Sequence, residues 1–356
     1  MNGWWWKLLS VLILIYTFIA GLLVPLKPGI EGVTPDAAEG GQVFSLTVQG
    51  YNTSFSENSD QIRAWLKLDE EHILEARKVN VLDDMRLVAE FSFPEVLNEK
   101  PDSYFMSLLL DLPSDGAVVL PDAVYLKPSS ISIQAESPDL VWQQLPEDLH
   151  KGAGLSFPYR NLLAETIRNT YFHVPLWFGM ILILLVSVIY SIRYLSNPLE
   201  RFDNIAVAFT ATGVVFGLLG LSTGAVWARY TWGSYWSWDI KQIVSAVALL
   251  IYLAYFVLRN SFEDEERRAR LGAVYNIFAF ATLIPLLFVI PRLNSVGVSL
   301  HPGNGGNPGF GGDDLDNTMR MVFYPAIIGW TLLGCWMGNL LARYYRINNR
   351  ILEEDF

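Results

Sequence analysis

The stretch Val174–Tyr194, VPLWFGMILILLVSVIYSIRY, carries a single charge, Arg193, in 21 residues. A helix of about 20 apolar residues rises roughly 30 Å, the thickness of bilayer hydrocarbon. Five more runs of this kind flank it: Leu8–Val24, Ile205–Trp227, Ile240–Leu258, Leu271–Ile290 and Met321–Ala342. The 356 residues are 52% hydrophobic and only 17% charged, which excludes one soluble globule. The expected fold is an all-α polytopic membrane bundle of six transmembrane helices. Val24-Pro25-Leu26 offers no small-x-small cleavage signal after the first run, so that run is expected to be a retained span.

Positive charge orients the spans. Lys7, Arg193, Arg201, Arg259, Arg267, Arg268, Arg270, Arg343, Arg346 and Arg350 all fall on one side, expected to be cytoplasmic together with both termini. The opposite loops hold Arg229, Lys241, Arg292 and Arg320. Cys335, the one cysteine, lies in an apolar run as a packing residue, and the chain has no C-x-x-C-H for covalent haem attachment. Gly213, Gly217, Gly220 and Gly224 form a small-residue row on the third span, a helix-packing face. Trp4, Trp5 and Trp6 are expected to lie in an aromatic belt at the headgroups.

Pro28–Leu163 is a different kind of sequence. Residues 27–165 hold 23 acidic and 10 basic side chains, so the net charge of −11 resides there, and nucleic acid is excluded as a partner. Alternating runs at residues 43–48, 62–68, 86–91 and 107–110 are separated by turn signals at Gly40-Gly41, Asn52, Pro94, residues 113–116 and Pro121-Asp122. They predict an inserted small β-sandwich-like extracytoplasmic domain. Its histidines, His72 and His150, have no ligand-spaced partner and are expected to be surface or structural residues. The expected division is residues 1–27 for the first helix, 28–164 for the β-rich domain, 165–345 for five further helices and 346–356 for a cytoplasmic tail.

The outer loop between the third and fourth spans is the densest aromatic segment. Trp227–Trp238 holds four tryptophans and two tyrosines in 12 residues, more than an interfacial belt accounts for. A flat aromatic shelf would suit a large planar apolar ligand. Asp239 opens the fourth span as an expected N-cap. The two histidines of the membrane part, His173 in Phe172-His173-Val174-Pro175 and His301 in Leu300-His301-Pro302, fall on the same outer face. Neutral imidazole is a good axial ligand for haem iron. Arg229, Lys241, Arg292 and Arg320 stand where they could neutralise haem propionates.

Trp232-Gly233-Ser234-Tyr235-Trp236-Ser237-Trp238-Asp239 resembles the W-G-x-x-W-x-W-D signature of the CcmC/CcsA-type haem-handling family of cytochrome c biogenesis. The placement of His173 and His301 is similar to that in its six-span haem exporter C (CcmC) branch, over span one and residues 165–345. The resemblance implies haem b as cofactor, with axial ligands His173 and His301. It implies a haem-binding loop of Trp232, Gly233, Trp236, Trp238 and Asp239, with which Trp227 and Arg229 are counted. It further implies no catalytic residues, a bacterial inner-membrane location with a periplasmic haem site, and delivery of haem to a periplasmic haem chaperone beside other cytochrome c maturation subunits. A subunit of a cytochrome c synthase is the alternative. No histidine lies mid-span, which favours delivery over synthase and over a haem-b electron carrier, and the spans lack mid-depth charges typical of a transporter. The sequence departs from the family in the roughly 140 residues between spans one and two, and in the glycine-rich stretch Gly303–Gly309 with Gly311–Asp314.

Overall fold

A computed structural model describes residues 3–57, 59–93, 96–97, 103–133, 146–152, 154–293, 299–301 and 315–354. The glycine-rich stretch between His301 and Leu315, and the turn signal at Pro94, lie outside them. The chain forms two compact units, Met1–Val24 with Glu165–Phe356, and Pro25–Ala164.

The first unit contains six helical segments long and apolar enough to cross a membrane, so this is a multi-pass membrane protein. Its helices are α1 Trp5–Leu23, α2 His173–Ser196, α3 Glu200–Trp232, α4 Ile240–Asn260, α5 Glu265–Ile284, α6 Ile290–Leu293 and α7 Asn317–Glu354. A π-helical turn, Pro285–Val289, joins α5 to α6, where Pro285 has no N–H to give the helix ladder. Two boundaries differ from expectation. Helix α3 runs past the apolar stretch to Trp232, and α7 continues to Glu354 through most of the expected tail. The expected belt also divides: Trp4 and Trp5 are exposed, whereas Trp6 is buried.

Lipid tails are as apolar as leucine, so close contact and polar pairing hold the helices together. Successive α2 side chains sit against the α3 glycines: Leu184 at Gly213, Met180 at Gly217, Trp177 at Gly220 and His173 at Gly224. Helices α1 and α7 pack antiparallel, with Ser10 Oγ donating to Gly329 O at 3.0 Å and Tyr16 OH to Met321 O at 3.1 Å. Between α2, α3 and α5, Ser187 Oγ lies 2.6 Å from Thr210 Oγ1, and Asn276 Nδ2 donates to Ser187 and Ser191. Arg259 reaches both carboxylate oxygens of Asp203, at 2.8 and 2.7 Å, in a buried fork near one end of α3. Cys335 is half-buried against the apolar core.

In the second unit the strands are β1 Gly29–Thr34, β2 Ala37–Ala38, β3 Val43–Tyr51, β4 Arg63–Lys67, β5 Ile73–Glu75, β6 Lys78–Asp83, β7 Arg86–Ser92, β8 Val96–Leu97, β9 Phe105–Leu112, β10 Gly116–Leu126 and β11 Ser132–Ile133. They make sheets of order β1-β3-β7-β6 and β2-β10-β9-β4-β5, plus the short pair β11-β8. Both larger sheets supply one buried cluster, including Leu46, Val48, Leu87 and Phe91 from the first and Leu66, Met106, Leu108 and Val124 from the second. Strands are present at all four alternating runs. Pro121-Asp122 is not a turn but a bulge inside β10, where the register shifts between Leu120 and Val124 and Asp122 takes φ 51°. Leu26 and Phe157 form an isolated parallel bridge, so the start of the unit and a segment near its end lie side by side.

Candidate functional site

Helix α3 organises the site. A short 3-10 stretch, Ala164–Tyr171, leads into α2 and is tied to α3. Asn169 Nδ2 donates to Thr223 O at 3.2 Å, and Trp227 Nε1 donates to Thr166 Oγ1 at 3.2 Å. His173, the first residue of α2, is thereby laid against Gly224. A β-carbon built on Gly224 would stand 2.6 Å from His173 Cε1, so glycine is what lets the ring in. His173 Nδ1 is 2.9 Å from Gly220 O and 3.2 Å from Thr223 Oγ1. A carbonyl only accepts, so Nδ1 carries the proton and Nε2 keeps its lone pair.

The aromatic segment is half helix and half loop. Trp227–Trp232 are helical, and α3 ends where Gly233 adopts φ 83°, the left-handed conformation that closes helices. Arg229 donates to Gly233 O, serving the negative end of its own helix. Gln242 closes the loop by accepting from Ser237 N at 2.9 Å. Trp238, 75% exposed, is held at φ 59°, and the backbone then turns Asp239 inward. The tryptophans do not pave one plane. Trp227 and Trp232 meet edge to face with centroids 5.1 Å apart, and Trp236 and Trp238 do so at 6.0 Å.

His301 sits on the first of these pairs, 4.8 Å from Trp232 and 5.9 Å from Trp227 between ring centroids. Its Nδ1 is 2.8 Å from Asp239 Oδ1. Asp239 also caps α4 by accepting from Lys241 N at 2.9 Å, and accepts from Leu300 N at 2.8 Å. Burial alone would raise its pKa, but hydrogen bonds from His301, Ser299 and Lys241 N hold the carboxyl well below the usual range. Burial pushes His301 down, and Asp239 offsets this only in part, so the imidazole is neutral at neutral pH. Its Nδ1–H donates to the carboxylate and its Nε2 is a free base.

The structure thus brings His173, His301, Trp227, Trp232 and Asp239 to one end of the bundle, with His173 against Gly224 and His301 against Trp227 and Trp232 of α3. Trp236 and Trp238 form a second pair beside them. Of the expected propionate cations, Arg229 and Arg292 donate to backbone carbonyls of Gly233 and Phe288, Arg320 donates to Asn317, and Lys241 lies near His301. Thr166, Asn169 and Gln242 escaped the sequence analysis, and Gly224 entered it only as a packing residue. Among the described residues no three His, Cys, Asp or Glu side chains converge as a metal cluster.

Residues 160–298 match the family described as Cytochrome C assembly protein. The chain is 29% identical over 193 residues to "Heme exporter protein C" of Bradyrhizobium diazoefficiens, covering 53% of this chain and 65% of that protein. It is 34% identical to "Cytochrome c biogenesis protein CcsA" of Synechococcus sp. RCC307, over 29% of this chain and 31% of that one. Against the Gloeobacter violaceus protein of the same name the figures are 36%, 29% and 30%. The match therefore spans less than two thirds of each relative's length.

Proposed function

From a membrane unit that carries a CcmC/CcsA-type cytochrome c assembly domain, and hence a role in c-type cytochrome maturation, we propose that the chain holds haem b between His173 and His301 and passes it on. The observation that carries this is that both imidazoles have Nδ1 tied to an acceptor and Nε2 left as a base, against neighbouring turns of one helix. Gly224 and Trp227 are three residues apart, roughly 5 Å of rise. Trp227 and Trp232 give the apolar wall, and the Trp236–Trp238 pair gives edge contacts for a planar ligand. Haem held by His173 and His301 would supply the iron chemistry; the chain's own work is to present the two bases, exclude water from them and orient the ring.

The end of the bundle opposite this site carries Arg193, Arg201, Arg267, Arg268, Arg270, Arg343, Arg346 and Arg350. By the positive-inside rule that end is cytoplasmic. The haem site then faces the periplasm of a bacterial inner membrane, as does the β-rich unit that follows α1, and the recipient is a periplasmic haem chaperone working with other maturation subunits. A second reading, a subunit of a cytochrome c synthase, is favoured by the 33–36% identity to the CcsA proteins.

Detergent-purified protein should show a low-spin haem spectrum that His173→Ala and His301→Ala each abolish or convert to high spin; an unchanged spectrum in both removes these ligands. Trp236→Ala should weaken haem retention with the protein still inserted. The two readings separate when apocytochrome is mixed with the haem-loaded protein alone. Delivery predicts no covalent haem on the apocytochrome, and a synthase predicts thioether-linked haem.

A further inference from the structure

Resting on the haem reading above, we propose that Asp239 is a positioning residue rather than a haem contact: its carboxylate holds His301 in register and makes it the stronger of the two ligands. A helix cap alone does not explain its environment. Capping α4 uses one bond, from Lys241 N. The side chain is nonetheless only 1% exposed, and a carboxylate withdrawn from water needs donors on its remaining lone pairs. They come from the far side of another span, Leu300 N on Oδ2 and His301 Nδ1 on Oδ1, both at 2.8 Å. One carboxylate therefore fastens the last outer loop to the aromatic loop, seats the imidazole on Trp232 and Trp227, and fixes its tautomer. A ring nitrogen that donates to an anion leaves the opposite nitrogen more basic. Among the described residues, the hydrogen-bond partners of His173 are a neutral carbonyl and a hydroxyl. The two ligands are thus unequal by construction, with His301 the retained one.

The test compares Asp239→Asn and Asp239→Ser with the wild type and with His301→Ala. Asparagine and serine are good N-caps, so both keep the start of α4 while removing the anion. In haem-free protein, amide exchange at Leu300 and His301 should quicken in both variants. In haem-loaded protein, affinity should fall about 10- to 100-fold, the usual effect of losing such a partner, and the reduction potential should move to more positive values. Asp239→Glu should restore part of each. Affinity and potential unmoved in Asp239→Asn, with a wild-type spectrum that still depends on His301, would overturn this inference and leave the haem reading standing. A wild-type spectrum independent of both histidines would sink that reading, and this inference with it.

Discussion

The two imidazoles are alike in which nitrogen they offer and unlike in what holds them, and the difference makes a prediction at the scale of single residues. Carbon monoxide added to ferrous protein should displace His173, which rests on a neutral carbonyl, and spare His301. The CO spectrum of His173→Ala should then match that of the wild type, and His301→Ala should differ; the reverse pattern would show that the carboxylate does not decide. Away from the membrane, Asp111 on β9 is fully buried, with Arg63 Nη2 at 2.6 Å and His150 Nδ1 at 2.9 Å. Burial would raise its pKa, but the hydrogen bonds from Arg63 and His150 prevail and lower it. A carboxyl lowered on folding contributes stability above its unfolded pKa of about 3.9 and loses it as pH falls through the lower folded value. Asp111→Asn should destabilise the β unit by about 3 kcal/mol at pH 7. The gap to wild type, followed by amide exchange in β9, should close below about pH 4; a gap unchanged at pH 3 contradicts the assignment. The expectation that His72 and His150 are structural fits their pairing with Asp69 and Asp111. The Asp239–His301 pair was not legible, because 62 residues separate its members and no periodicity links them.

At the scale of elements, the glycine row on α3 was readable as a packing face, and its last member does more. Gly224→Ala would gain about 1 kcal/mol of helix propensity. The helix is already formed in the bilayer, however, and the new methyl would lie 2.6 Å from the His173 ring, so displacement of the ligand should dominate. Haem retention should drop about tenfold or more, as for other losses of ligand orientation, with membrane insertion intact; undiminished retention would mean His173 is free to adjust. Hydropathy alone ended the third span at Trp227, because Arg229, Tyr230 and Thr231 look like loop. The backbone needs no apolar side chain to stay helical and stops only at Gly233. Pro121-Asp122 misled for the opposite reason, since a proline and a left-handed residue serve a bulge as well as a turn. Strands β1, β6 and β10 went unread. In β6 and β10 apolar side chains also stand at exposed positions, Leu82 and Val119 among them, which blurs the alternation, and in β1 glycines supply no side chain to it.

At the scale of the molecule, six spans and a β-rich insertion were legible because hydrocarbon thickness and strand periodicity leave few alternatives. The arrangement of the helices was not, since in lipid it depends on shape more than on polarity. Every residue of the candidate haem site lies between Thr166 and His301, and Leu26 and Phe157, near the two ends of the β unit, are bridged to each other. Replacing residues 28–156 with a short Gly-Ser linker should therefore leave the low-spin spectrum in place, and its loss would make the insertion part of the site.

The pairing of α1 with α7 sets the order in which the protein can be completed. Ser10 finds its acceptor at Gly329, 319 positions later. At about 5–20 residues per second, a ribosome needs roughly 15–60 s to supply that partner. Until α7 emerges, the first helix waits in the bilayer with this seam open. A nascent chain halted before Asn317 would leave this flank unsealed and open to surveillance proteases.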